Sequence, residues 1–488
     1  MKLSQNNLKA LPLNVPKPLY DRNGHGHKQF IVHIGVGGFH RSHQAFYLDE
    51  LLNAGLADWA ICGMGVKSED EKIHKTIKEQ DYLYTLIVKH SDGSIHPRVI
   101  GSIVDYIFVP ENKRAAIGKL ADPQTKIVSL TITEGGYNFD QNGNFIFENP
   151  DVQWDIEHPD APKTIFGLLV AALRLRKERN IPAFTVLSCD NIQHNGDVTR
   201  KMLLSFTDVV DKALSEWIKA NVRFPNSMVD RITPVTTQSD IELLNEKYGI
   251  EDAWPVTCEP FTQWALEDHF PNSRPVWEQA GVQFVQEIEL YEKVKIRLLN
   301  AGHSFLGFIG SLAGYETIDE AVGEALIQKS LRAFMDEEVT PILGEVKGID
   351  LDDYKACLIR RFSNPNIRDR LVRICSDSSA KLPKFLIPTI QEQLQNNGQI
   401  KYGATILAAW CHALELYAEG RYNYPLRDDM LDELVQAAIR TTQNGAPDFP
   451  EIAVIFGELS KQPRFMDEFM KRLNDIRTFG IRAALLKL

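Results

Sequence analysis

The first half of the chain is written in short apolar runs. FIVHI (30–34), WAICGM (59–64), YTLIV (84–88), KIVSLTI (126–132) and AFTVLS (183–188) are nearly unbroken by polar residues. Such runs fit strands covered by helices on both faces, as in a parallel sheet, better than half-exposed strands, which alternate. Between them lie stretches with apolar positions at helical spacing, such as HQAFYLDELLNAG (43–55) and TIFGLLVAALRLRKERN (164–180). Alternating strand and helix predict a doubly wound α/β domain.

From about residue 290 the pattern changes to long helical stretches, among them EKVKIRLLNAGHSFLGFIG, IDEAVGEALIQKSLRAFMDEEV and YGATILAAWCHALELYAEG. Proline-marked breaks at 361–366 and 381–388 separate them. The predicted organisation is an α/β domain over 1–288 and a mostly α-helical domain over 289–488. A chain of 488 residues is also too long for one compact core. The most membrane-like segment, 298–315, carries Asn300, His303 and Ser304, and reads as a buried helix instead of a span. The N-terminal stretch shows no apolar region of the secretory type.

Composition narrows the partners. With 44% hydrophobic and 24% charged residues, the chain has ordinary globular content. A net charge of -11 argues against nucleic acid, which demands clustered Lys and Arg. Six scattered cysteines without a C-x-x-C pair point to reduced thiols in the cytoplasm, most of them packed in the core.

The first run leads into IVHIGVGGFHRSH (31–43). Gly35 and Gly37 meet two requirements of a dinucleotide loop, a tight turn and close backbone approach to a pyrophosphate; His40 replaces the third glycine, which implies looser packing or a wider turn. Gly38 and Phe39 complete the loop, and an exposed Arg41 would add a charge-assisted phosphate contact. After the second run, Glu69 and Asp70 are placed to accept ribose hydroxyls and repel a 2′-phosphate, favouring NAD over NADP. Taken alone, the loop also fits an ordinary strand-to-helix turn. No P-loop pattern occurs.

A second constellation opens the helical half: Lys295, Asn300 and His303 in KVKIRLLNAGHS. On an α-helix, Lys295 falls about 80° from His303 and about 140° from Asn300, so one narrow face does not hold all three. Such polar groups on an apolar helix are costly to bury unless used or paired; an amphipathic helix with a solvated lysine is the alternative. Glu134 follows the fourth run, and Asp190 with Asn191 follows the fifth. Ligands of open α/β sheets bind at these carboxyl ends, although Asp and Asn there also serve as caps and turns.

Together these segments resemble the mannitol dehydrogenase family of polyol-specific long-chain dehydrogenases. VRFPNSMVDRITP (222–234), with Val229, Asp230 and Arg231 at its centre, matches the family signature, and Lys295, Asn300 and His303 match its K-x4-N-x2-H pattern. GVGGFHRSHQA, TITEGGYN, LSCDN, CEPFTQW and RFSNPNIRDR also look like family segments, so the likeness spans nearly the whole chain. It implies a Rossmann-like domain binding NAD, with Val229 beside the cofactor, and a helical domain carrying the base. The reaction implied is metal-independent interconversion of a polyol and a ketose, with a small-molecule substrate and no membrane partner. Hexuronate-reducing members place a lysine where this chain has Gly135, which favours a neutral polyol such as mannitol over fructuronate or tagaturonate; arabinitol and sorbitol remain alternatives.

The resemblance further implies roles. Lys295 is the general base. An exposed lysine titrates near ~10.4, and burial next to a cationic nicotinamide lowers that value. Asn191 and Asn300 donate to the developing alkoxide. His303 and Asp230 orient the sugar, and Arg373 and Lys381 contact distal hydroxyls unless they are surface charges. Glu134 and Glu292 form a proton path. Zinc at His40 and His43 is disfavoured. A hydrolase elbow at AGHSFLG is also disfavoured, because Leu306 stands where its second glycine belongs.

Overall fold

The computed structural model describes residues 1–22, 29–140, 142–346 and 348–488. They form two compact units: Met1–His90 with Ser94–Glu289, and Ser91–Gly93 with Leu290–Leu488.

The described strands, all in the first unit, are β1 (Gln29–Ile34), β2 (Trp59–Gly65), β3 (Tyr84–Lys89), β4 (Ile95–Ile100), β5 (Ile103–Phe108) and β6 (Thr125–Leu130). They continue with β7 (Thr185–Ser188), β8 (Ser227–Asp230), β9 (Val256–Cys258), β10 (Gln263–Glu267) and β11 (Gln283–Val285). The main sheet has the order β5-β2-β1-β6-β7, with every pairing parallel. The strand order reverses between β1 and β6, where open α/β sheets bind their ligands.

Both faces of this sheet are buried. Val32, Ile34, Cys62, Met64, Val128 and Leu130 face one core with the helices Lys113–Ala121, Ile165–Glu178 and Asn195–Val210. Ile31, Ile61 and Ile127, one pleat out of phase, face another with the helices Gln44–Asn53 and Asp70–Lys78. Two-sided burial explains the unbroken apolar runs.

One run is misplaced by the sequence pattern. YTLIV forms β3, which pairs antiparallel with β4 and parallel with β9 in a separate three-stranded sheet. One edge of the main sheet is β5, whose sequence IVDYIF mixes buried and half-buried positions, as an edge strand can. A third small sheet, β11-β10-β8, carries the 227–230 signature segment.

The second unit is helical, around a core that joins the helix Ala301–Leu312 to Lys401–Ala418 and Pro463–Phe479. The segment 298–315 lies in this core. No helix among the described residues is long and apolar enough to cross a membrane. All six cysteines are free, and all but Cys357 are buried.

Candidate active site

β1 ends in a turn that only glycine can make. Gly35 has φ +93°, and a Cβ there would stand 2.1 Å from the Thr131 carbonyl oxygen. Two residues on, the space is open: a Cβ on Gly37 would have only the Gly35 carbonyl oxygen near it, at 3.9 Å. Gly38 lies against Thr233 and Val256, and the Phe39 ring stacks on His43 at 4.9 Å. A fixed turn followed by uncovered backbone is what a pyrophosphate needs.

The turn is held from beneath by side chains that the sequence analysis did not single out. His33, fully buried in β1, is hydrogen-bonded through Nδ1 to Ser129 Oγ at 2.8 Å and through Nε2 to Thr131 Oγ1 at 2.9 Å. The Thr131 hydroxyl donates to the Gly35 carbonyl at 2.6 Å, and Ser129 Oγ lies 2.7 Å from the Gln44 side-chain amide. Burial lowers the His33 imidazole to about 3, so the ring is neutral. His40 stacks on it, centroids 3.4 Å apart. The place of the third glycine is therefore filled by a packed ring, without the loosening expected there.

Arg41 corrects another expectation. It is 3% exposed; its Nη1 donates to the Trp254 carbonyl and its Nε to the Gly37 carbonyl, and its guanidinium lies over the Tyr84 ring. Its charge braces the loop from inside. Arg41 stays buried because two carbonyls and a ring face replace the water it loses.

At the end of β2, Asp70 Oδ2 accepts the amides of both Val66 and Lys67 at 2.9 Å. It shapes the turn as well as charging it. Gly65 admits no side chain: a Cβ would meet the Tyr106 hydroxyl at 2.4 Å and Asp70 Cβ at 2.5 Å. Glu69 is exposed.

The remaining first-unit candidates sit at neighbouring strand ends. Glu134 lies in the one-turn helix Thr133–Gly136 after β6, and Asn191 follows β7; both are exposed. Val229 and Asp230 close β8 and are buried, with Asp230 opposite Gln263 of β10. Arg231 donates to the carbonyls of Glu259 and Ser42, which ties the signature segment to the helix after the cofactor loop. His43 Nε2 is hydrogen-bonded to the Gln263 carbonyl at 2.9 Å. Among the described residues, no three His, Cys, Asp or Glu are grouped to hold a metal ion.

In the second unit, Glu292, Lys295 and Asn300 are each less than 9% exposed on one continuous helical run. Residues Lys295–Asn300 are wound as a π-helix. Its i→i+5 bonding widens each turn, bringing residues five apart toward one face; the wide separation of Lys295 and Asn300 expected from α-helical geometry does not hold. Asn300 Oδ1 is buried without a hydrogen-bond partner among the described residues. His303, one turn on in Ala301–Leu312, lies 4.8 Å from the Phe362 ring. Arg297, buried on the same run, donates to Thr389 Oγ1 at 2.8 Å and Glu392 Oε1 at 2.9 Å, anchoring the π-segment. Ser304 donates to the Asn300 carbonyl at 3.3 Å inside the helix, far from the geometry of a nucleophile elbow.

Arg373 and Lys381 are engaged locally. Arg373 is paired with Asp369 and largely exposed. Lys381 donates to the carbonyls of Ser376 and Arg373, at 2.5 and 3.4 Å, over the end of the helix Leu371–Cys375.

Comparison with known proteins agrees with this geometry. The profile of the mannitol dehydrogenase Rossmann domain matches residues 29–279, and that of the mannitol dehydrogenase C-terminal domain matches residues 287–477. The chain belongs to the mannitol dehydrogenase family. It is a dehydrogenase with this family's Rossmann and C-terminal domains. Over its full length it is 43% identical to mannitol 2-dehydrogenase of Aspergillus fumigatus, covering 99% of that protein. A Pseudomonas fluorescens mannitol 2-dehydrogenase, solved as a ternary complex with NAD and D-mannitol, superposes with a TM-score of 0.89 at 44% identity, covering 100% of this chain and 99% of that one. A substrate-free D-sorbitol dehydrogenase superposes with a TM-score of 0.91 at 36% identity, covering 99% and 100%. What the sequence analysis missed in this family member, the His33 network and the Arg297 anchor, had one faint signal: isolated polar residues inside apolar runs.

Proposed function

We propose that the protein catalyses the NAD-dependent interconversion of D-mannitol and D-fructose, with Lys295 as general base and no metal. The observation that carries this reading is the buried π-helical segment that presents Lys295 and Asn300. The full-length likeness to an enzyme solved with NAD and D-mannitol supports the choice of substrate.

The open backbone at Gly37, with Gly38, Phe39 and Val229 beside it, would hold the pyrophosphate and nicotinamide of NAD; Glu69 and Asp70 would accept its adenosine ribose hydroxyls. Bound NAD supplies the hydride acceptor. Lys295, buried on this segment, takes the proton of the C2 hydroxyl as the C2–H bond breaks. Asn191 and Asn300 donate hydrogen bonds to the oxygen as charge develops on it. Asp230 and His303 hold neighbouring hydroxyls, and Arg373 and Lys381 take distal ones by turning from their local partners. Glu292 and Glu134 pass the proton onward.

A second reading, a sorbitol dehydrogenase, is favoured by the TM-score of 0.91 to that enzyme. The deciding experiment measures NAD reduction with mannitol, sorbitol and arabinitol beside NADH oxidation with fructose, fructuronate and tagaturonate. The highest kcat/KM is expected for the mannitol–fructose pair. A clear preference for sorbitol or for either hexuronate overturns the substrate assignment.

A further inference from the structure

The carboxyl ends of β6 and β7 are fastened by one side chain. Asp190, 8% exposed, follows β7. Its Oδ2 accepts the amide of Ile132 at 2.9 Å and the Tyr137 hydroxyl at 2.7 Å; its Oδ1 accepts the amide of Thr133 at 2.9 Å. Ile132 and Thr133 belong to the turn after β6, and Thr133 has φ +60°, a left-handed conformation that a β-branched residue rarely adopts. Two amides of that turn point at one carboxylate, which over-determines the strained conformation. The next residue in the turn is Glu134.

A second clamp adds β8. Asn195 Nδ2 donates to the Asp190 carbonyl at 3.0 Å and to the Ser227 carbonyl at 2.9 Å, and its Oδ1 accepts the Ser227 amide at 3.0 Å. The Ser227 hydroxyl donates to the Ser188 carbonyl at 2.7 Å. Asp190 thus stands next to Asn191 in the chain, bonds the turn that carries Glu134, and is tied through its carbonyl to the strand that ends in Asp230.

We infer that Asp190 is a positioning residue for catalysis: its carboxylate locks the turn after β6 to the end of β7, and so fixes where Asn191 and Glu134 present their side chains. This rests on the proposed role of Asn191 as donor to the developing alkoxide. An amide at position 190 keeps the volume but turns a donor toward amide hydrogens, leaving buried N–H groups unpaired.

The same unit contains a matched control. Asp155, 1% exposed, accepts the amides of Lys163 and Thr164 at 2.6 and 2.9 Å and the Thr164 hydroxyl at 2.6 Å. It has the same bonding as Asp190, but lies in the helix Pro150–Glu157, where no candidate residue stands.

The test compares Asp190→Asn, Tyr137→Phe and Asp155→Asn in the full-length enzyme, with kcat normalised to folded protein and NADH binding followed by fluorescence. Asp190→Asn is expected to lower kcat by about 30- to 100-fold, as small displacements of catalytic groups do, with the NADH Kd within about threefold. Tyr137→Phe, which removes one donor and leaves the carboxylate, is expected to lower kcat by about three- to tenfold. Asp155→Asn is expected to lower the melting temperature with kcat per folded molecule unchanged. A kcat in Asp190→Asn within about threefold of the parent, or an equal loss in Asp155→Asn, overturns the inference. If Asp190→Asn does not fold, an unchanged kcat in Tyr137→Phe overturns it. Parent enzyme inactive on every polyol would instead defeat the functional reading. In that case amide exchange decides: Ile132 and Thr133 are expected to exchange at least about tenfold faster in Asp190→Asn, and unchanged protection refutes the clamp.

Discussion

Lys295 is 6% exposed on a run that also buries Glu292 and Asn300, so each side chain there must either react or be satisfied. Replacing Lys295 with Ala removes the proposed base and leaves the cofactor loop untouched. The expected outcome is a fall in kcat of about 10²- to 10⁴-fold with the NADH Kd preserved, checked by stopped-flow turnover and fluorescence titration. The two acids after β2 divide their work. Glu69 is an exposed charge, whereas Asp70 also bonds two loop amides. Glu69→Lys should therefore raise the NADP-to-NAD ratio of kcat/KM by improving NADP. Asp70→Ala should raise KM for both cofactors as the turn loosens, which steady-state kinetics with each cofactor will separate. Glu69 and Asp70 were legible as acids after the second strand. The second task of Asp70 was not, because it depends on which amides the fold turns toward it.

At the level of elements, the cofactor loop is a turn with two glycines of different kinds. Gly35→Ala places a methyl against the Thr131 carbonyl in a left-handed conformation, so loss of folded protein is expected. Gly37→Ala meets nothing closer than 3.9 Å; the protein should keep its melting temperature while the methyl occupies the phosphate approach, raising the NADH Kd by at least about tenfold. In the second unit, Glu415 ties three helices: it accepts from His412 at 2.9 Å, from Thr442 at 2.9 Å and from Arg477. Burial opposes its charge, but His412, Arg477 and Thr442 together hold its carboxyl down at about 2. A depressed carboxyl contributes stability that is present above its unfolded value, near ~4.3, and lost as pH falls toward 2. Glu415→Gln should therefore be destabilised at pH 7, and the gap to the parent should close between about pH 4.5 and 2 in thermal melts. The long helices themselves were legible from periodicity. The π-helical winding of Lys295–Asn300 was not, since nothing in KIRLLN distinguishes it from an α-helix. The same holds for YTLIV, whose apolar run is equally at home in either sheet.

For the molecule as a whole, the acidic charge, the scattered cysteines and the two domains of the mannitol dehydrogenase family frame a small-molecule dehydrogenase. With a protein base proposed and no three-ligand group among the described residues, dialysis against a chelator is expected to leave kcat within about twofold; loss of activity restored by a divalent ion would reverse the metal-independent reading. The sequence alone determined the class of fold, and it supplied the candidate cofactor loop and the candidate Lys295, Asn300 and His303 set. Each of these depends on local information: an apolar run, a glycine turn, a spacing within one helix. Tertiary structure alone decided that Arg41 turns inward, that His33 underpins Gly35, and that Asp190 binds two strand ends together. Those outcomes depend on which carbonyls and amides distant segments bring within about 3 Å, the distance at which a buried polar group is satisfied.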